Sequence, residues 1–423
     1  MSFEFQWNPY ADQPHNVAPH KERLKHHLKH AGTYMSLFTS NLRRAAPILA
    51  NYRQYRKKMY KEQVQISDPF AISVSPSEGR EEEVVELLKE TNIQKTLVRI
   101  PSWERRNLTR FEKFSKLLFA RGIELTVALL QNREDVLHPS RWHHFLEEVF
   151  SRFGQISSLF EIGHAWNRTK WGVWDYEEYL RLARPAVPLA EKYGVKLVGP
   201  AVIDFEFHLY PPVLDVIPFD RVSSLLYVDR VGAPEKKQFG WDTSRKLALL
   251  KAVVDGSTRR KHNLWITEVN WPLKGTGKYS PASGKPNVSE EEQADFLVRY
   301  YILCVTSGFV ERIYWWQLVA PGYGLVDSRD NEWRKRPGFY AMKTMVTYLK
   351  ESAFLKKIYN PRAKIFSFRK GEEDFVVCWT KGEVCEHLFP GKVVRVVRRD
   401  GEEIPRGDDR VKIDGSPIYV FLK

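Results

Sequence analysis

Glu268 closes the run Leu264-Trp265-Ile266-Thr267-Glu268-Val269, and Asn270-Trp271 follow it, so a carboxylate and then an aromatic end an apolar segment. A strand delivers its last side chains to the rim where ligands bind, so a glutamate there is placed for chemistry. Other strand-end groups carry similar potential: Arg99, Glu161, His164, Asn167 and Tyr227, with the indoles of Trp171, Trp271 and Trp316. Carboxylates among Arg, Tyr and Trp are what cleavage of a glycosidic bond needs. One carboxylate attacks or stabilises the anomeric carbon while an acid protonates the leaving oxygen, the two carboxyls lying about 5–5.5 Å apart in the retaining arrangement. Arg99 would hold Glu268 ionised, Tyr227 would hydrogen-bond it, and Trp316 would floor a sugar subsite. Trp171 and Trp271 either stack on sugar rings or cover the rim. Glu161 is read as a buried partner of Arg99 or as a replacement acid, and His164 as a hydroxyl ligand, an acid or a structural histidine.

These residues need a scaffold that brings strand ends together. From residue 68 the chain alternates: strands are predicted at 70–74, 96–100, 124–130, 158–163, 196–201, 221–227, 264–269 and 312–316. Helices are predicted at 80–91, 108–121, 140–153, 174–193, 242–255, after Ser289 and at 337–350, with a short one near 212–217. Asp175 before Glu178 and Ser289 before Glu292 have capping-box spacing. Eight strand–helix units in this length predict a closed (β/α)8, or TIM, barrel; no Gly-rich phosphate loop follows the first strand, which argues against a doubly wound sheet.

Residues 1–67 read as a basic, partly helical extension, 68–351 as the barrel and 352–423 as a small antiparallel, β-sandwich-like domain, with turns at Lys370-Gly371, Asp400-Gly401 and Asp414-Gly415. The chain carries 66 Lys+Arg against 52 Asp+Glu, a formal charge of +14, and half of that excess falls before residue 67. In the predicted helix over 21–61, Met35, Phe38, Leu42 and Leu49 recur at helical spacing among cations, and Pro47 is expected to split it in two. The segment reads as a membrane-surface or partner hook, or as an extension packed on the barrel. Three dispersed cysteines, Cys304, Cys378 and Cys385, give neither a disulfide framework nor a zinc cluster. No metal or cofactor is expected, and the absence of a signal-like start or bilayer-length apolar run suggests a cytoplasmic protein, peripheral to a membrane if the basic segment binds one.

Three motifs resemble clan A glycoside hydrolases, particularly the β-xylosidase and α-L-iduronidase branch. Phe160-Glu161-Ile162-Gly163-His164-Ala165-Trp166-Asn167 resembles that branch's strand-four signature, Phe-Glu-Val-Trp-Asn-Glu-Pro-Asn. Trp265-Ile266-Thr267-Glu268 is similar to its strand-seven nucleophile segment. Ile313-Tyr314-Trp315-Trp316, with Tyr323 to Asp327 and Arg336-Pro337, resembles its last strand and loop. The resemblance implies Glu268 as nucleophile and a carbohydrate substrate. It also implies a departure: the acid/base glutamate falls on Ala165, which cannot transfer a proton. Arg168 and Lys170 would suit an anionic sugar, and the basic segment a lipid-linked glycan. The alternative is a catalytically inactive barrel that binds a glycan or a partner protein. Nucleic acid is not expected, since no basic–aromatic strand motif is present.

Overall fold

The computed structural model describes residues 5–15, 18–258, 261–281, 285–405 and 410–423. Eight parallel strands close into a barrel: β1 (Phe70–Val74), β2 (Lys95–Pro101), β3 (Glu124–Leu130), β4 (Leu159–Ile162), β5 (Lys196–Ile203), β6 (Arg221–Leu225), β7 (Leu264–Val269) and β8 (Val310–Trp315), with β8 returning to β1. Each is a short β-branched or aromatic run buried on both faces, as strands between a packed lumen and a helical shell must be. Small residues (Ala71, Ala128, Val198, Ala201) and large ones (Trp265, Tyr314) together fill the lumen. The capping box of Ser289 and Glu292 forms in full, starting the helix Glu290–Val305. At Asp175 only half of the box forms: its side chain accepts from the Glu178 amide, while the Glu178 carboxylate turns to Arg133.

The extension departs from expectation. Pro47 does not split the helix, which runs from Ala31–Lys58 with the proline inside it; the break falls at His30, after a first helix, His20–Lys29. Packing decides this. The long helix lies on the barrel helix Thr243–Ser257, where Gly256 lets Ile48 approach so closely that a Cβ would meet it at 2.8 Å. Tyr55 donates to Asp255, and Asn41 reaches the His208 carbonyl at 2.8 Å. These contacts outweigh the backbone hydrogen bond that a proline forfeits on an exposed face.

The C-terminal region is a seven-stranded antiparallel sheet. Its order is Glu403–Ile404, Val393–Arg398, Ile418–Leu422, Glu373–Thr380, Ala363–Lys370, Ser352–Ile358 and Val64–Ile66. The last of these comes from the N-terminal extension, which therefore enters the C-terminal sheet as an edge strand. One face, with Phe366, Phe375 and Phe421, packs toward the barrel; the other is covered by a two-stranded antiparallel sheet of Cys385–Leu388 and Arg410–Ile413. Among the described residues no helix is long and apolar enough to cross a membrane.

Candidate active site

The C-terminal ends of the strands open on a cavity of about 550 Å³. Glu268 enters it from the end of β7 and is 7% exposed. Its Oε2 forms an ion pair with Arg99 Nη2 from β2, and its Oε1 accepts the hydroxyl proton of Tyr227, which follows β6. Burial raises the Tyr227 phenol far above its ordinary range, so it remains a donor. Arg99 in turn lies 3.3 Å above the ring of Trp316, beyond β8. A carboxylate held by a phenol and by a cation that itself rests on an indole is fixed at the cavity in its ionised form.

The strand-four segment supplies less than its position suggests. Gly163 takes φ +79°, and a Cβ there would meet Tyr179 at 2.9 Å, so only glycine fits this turn. Ala165 presents a methyl group to the cavity with φ +43°. His164 faces the site: its Nε2 is 3.0 Å from Arg99 Nη2 and 3.4 Å from Glu268 Oε2. Burial, with the cations of Arg99 and Lys170, holds its pKa well below the histidine range. With Nε2 accepting from Arg99, the ring is a neutral orienting group and carries no imidazolium proton to donate. Trp171 lines the wall beside it, ring centroids 4.7 Å apart.

Three of the sequence candidates lie elsewhere. Glu161 sits beneath the cavity floor, 1% exposed, and does not line the hollow. Its partner is not Arg99, whose guanidinium is engaged by Glu268. Burial pushes its carboxyl up to about 7 against the opposing pull of Ser223, Thr267 and Arg99. Trp271 is fully buried behind the wall, stacked on Trp315 and donating to the Gly232 carbonyl at 2.9 Å, so it offers no face to a sugar. Asn167 spends its amide on β5, accepting from Ile203 N and donating to Ile203 O, each at 2.9 Å. Strand alternation placed these three correctly on their elements but could not show which element turns away after its last residue.

Sequence reasoning missed a further contributor. The lead of the chain folds over the mouth as a small hairpin, Trp7–Asn8 pairing with Gln13–Pro14. Trp7 lies 5.0 Å from Trp103 and 6.0 Å from Trp171 by ring centroids. Gln13 donates to the Pro281 carbonyl at 2.7 Å and accepts from Lys170 Nζ at 2.6 Å. At its tip Asp12, with φ +51°, brings its Oδ2 within 3.6 Å of Arg99 Nη1 and lines the cavity. Burial raises its carboxyl, and Arg99 opposes the rise. Only a polar, proline-bearing lead was visible in the sequence, with nothing to say that it returns to the mouth.

The remaining cavity charges sort by partner. Asp204 is held by Arg168 at 2.5 Å, and Asp229 by Lys236 at 2.7 Å. Arg168, expected to face substrate, is therefore neutralised by Asp204 and Glu206. Among the described residues Lys170 has the neutral Gln13 as its hydrogen-bond partner, and burial with the nearby cations Arg168 and Arg230 pushes it down to about 8. Arg230 makes no ion pair among the described residues.

No protein-family model and no curated protein matches the sequence. Solved structures share its fold. A family 39 glycoside hydrolase from the gut symbiont Bacteroides cellulosilyticus WH2 superposes with a TM-score of 0.65 and 17% identity, covering 85% of this chain and 81% of that one. A conserved exported protein from Bacteroides fragilis gives 0.61 and 10% identity over 86% and 99%. The GH51 arabinofuranosidase from Xanthomonas axonopodis pv. citri gives 0.53 and 12% identity over 87% and 98%.

Proposed function

We propose that this chain is a glycoside hydrolase of the retaining type, related to the clan A β-xylosidase and α-L-iduronidase branch, with Glu268 as its nucleophile. The observation that carries the reading is the Glu268 carboxylate, fixed by Tyr227 and by an Arg99 that rests on Trp316, and lining the cavity. Glu268 attacks the anomeric carbon, the glycosidic bond breaks, and its oxygen leaves with a proton; water then hydrolyses the glycosyl ester.

Asp12 is the proton donor in this scheme. Of the other cavity carboxylates, Asp204 and Asp229 are each paired to a cation outside the reaction centre. Asp12 and Glu268 sit on the two amino ends of one guanidinium, which sets both carboxyls at the same mouth. The test is turnover of dinitrophenyl, nitrophenyl and phenyl β-xylosides, β-glucosides, α-arabinofuranosides and the anionic β-glucuronides and α-L-iduronides. Wild type should cleave at least one series. Asp12→Asn should retain dinitrophenyl turnover, whose leaving group needs no proton, and lose about 10²–10⁴-fold on the phenyl glycoside. Equal rates for both proteins across the series would remove Asp12 from the mechanism. Failure of wild type on every activated glycoside would favour the rival reading, a glycan-binding barrel without turnover, which the methyl of Ala165 in the acid position supports.

The substrate is an anionic glycan. Lys170 and Arg230 line the hollow without a carboxylate partner among the described residues, so a sugar carboxylate or sulfate supplies the missing charge.

The N-terminal helices add a surface for it, and we place the protein at the periphery of an anionic membrane. Leu28, Met35, Phe38 and Leu42 are 71%, 64%, 61% and 63% exposed, on the side of the arm turned away from the barrel. Eleven Lys/Arg and a single acid, Glu22, lie between residues 21 and 61. Apolar side chains rimmed by cations suit an anionic bilayer interface, where each basic residue contributes about 1 kcal/mol. In flotation, the protein should rise with phosphatidylglycerol-containing vesicles and stay behind with pure phosphatidylcholine. Phe38→Glu with Leu42→Glu, both outward-facing, should abolish the difference. Equal partition between the two vesicles would end the membrane reading.

A further inference from the structure

His26 and His30 stand one helical turn apart, the first inside the helix His20–Lys29 and the second at its end. Both face Asp175, which caps the helix Tyr176–Ala183 after β4 and lies 149 positions from His26 in sequence. His26 Nε2 is 2.6 Å from Asp175 Oδ2, and His30 Nδ1 is 3.7 Å from the same oxygen. One donor atom from each residue falls in a group whose members all lie within 4.8 Å of one another. The Asp175 side chain is 1% exposed.

The surroundings orient this group as a ligand set. Asp175 Oδ1 accepts the Glu178 amide at 2.8 Å, which aims Oδ2 at the two imidazoles; a hydrogen bond from outside that fixes a ligating carboxylate is the usual support of a metal site. Trp174 closes one side, edge-on to His26 at 5.4 Å. The two imidazoles stack at 4.2 Å with 15° between their planes, which holds both rings at the carboxylate. His26 alone satisfies the hydrogen-bonding of Oδ2. At 3.7 Å the His30 nitrogen is beyond hydrogen-bond reach, yet it faces a buried anionic oxygen. A cation shared among the three settles each of these features.

We propose that His26, His30 and Asp175 bind one divalent transition-metal ion of the zinc class, which clamps the N-terminal arm to the barrel. Two imidazoles and a carboxylate oxygen are a borderline donor set that zinc accepts, with bonds of about 2.0–2.2 Å and a fourth position left to water. Small rotations of the two imidazoles close the present spacing to tetrahedral distances. The clamp is independent of the reaction at Glu268: it acts on the arm that carries the basic apolar face, and its failure would leave the proposed hydrolysis untouched. The histidine pair is plain in the sequence, but its third ligand is too distant along the chain to be read from spacing, which is why no metal was expected there.

Titration calorimetry of the full-length, chelator-stripped protein with zinc chloride tests this. One ion should bind per chain, and zinc should raise the unfolding temperature. His30→Gln, at a partly exposed position, should lower the affinity at least about 100-fold and cancel the thermal shift. Asp175→Asn, which preserves the helix cap, should do the same, while His144→Ala on the barrel surface should bind as wild type does. No saturable binding, or binding that survives both His30→Gln and Asp175→Asn, overturns the proposal.

Discussion

Glu268→Gln should lower turnover of an activated aryl glycoside by about a thousandfold or more, a loss of about 4 kcal/mol of transition-state stabilisation. The amide keeps the size of the carboxylate and still accepts from Tyr227, so the strand end and cavity persist; what disappears is the anion that attacks the anomeric carbon. Arg99 would then lose its principal counter-charge and retain Asp12 at 3.6 Å. Kinetics on the purified variant, with its unfolding transition checked against wild type, decide the matter. Azide should restore part of the rate in Glu268→Ala, where truncation leaves room for a small external nucleophile. Activity within tenfold of wild type in Glu268→Gln would remove the residue from chemistry.

The second large effect lies away from the cavity. Glu235, in the loop after β6, pairs with Arg299 of the helix Glu290–Val305, both side chains being 7% exposed. Its Oε1 also accepts the indole N–H of Trp379, on the C-terminal sheet, at 2.7 Å. One carboxylate thereby ties a barrel loop, a barrel helix and the C-terminal sheet. Glu235→Ala leaves a guanidinium buried without a counter-charge and a buried indole N–H without an acceptor, and should cost about 3–5 kcal/mol. Glu235→Gln keeps one acceptor oxygen, which the indole N–H and Arg299 Nε can share, and should cost less. The shift in the urea unfolding midpoint at unchanged slope measures the loss. A cost below about 1 kcal/mol for the alanine variant would mean that water replaces the lost partner.

The barrel was legible because its signals are local. Each strand is a short apolar run between turn residues, each helix carries its own period, and counting units to eight suffices. Glu268, Arg99, Tyr227, His164, Trp171 and Trp316 were legible for the same reason, since all stand at or just beyond strand ends and so meet at one mouth. What escaped was long-range. Pro47 reads as a breaker until the packing of Ile48 and Tyr55 on the barrel is known. Residues 64–66 look like the tail of an extension, and only the folded sheet shows them pairing with Ser352–Ile358. Trp271 and Trp316 are equally aromatic and equally close to a strand end, yet one stacks behind the wall on Trp315 and the other lies under Arg99. Asp12 had no periodic element around it at all.

A retaining nucleophile forms a covalent bond to the sugar, and trapping that bond on Glu268 is the most direct test of its role. The protein is incubated with fluorosugars of the xylo, gluco, arabino and uronic acid series, in which fluorine slows both steps and a dinitrophenyl leaving group restores the first, and the peptides are mapped by mass spectrometry. One glycosyl label per chain should form, on Glu268, with loss of turnover in proportion to labelling. Turnover of the parent dinitrophenyl glycoside with the label on another residue, or with no label formed, would contradict it.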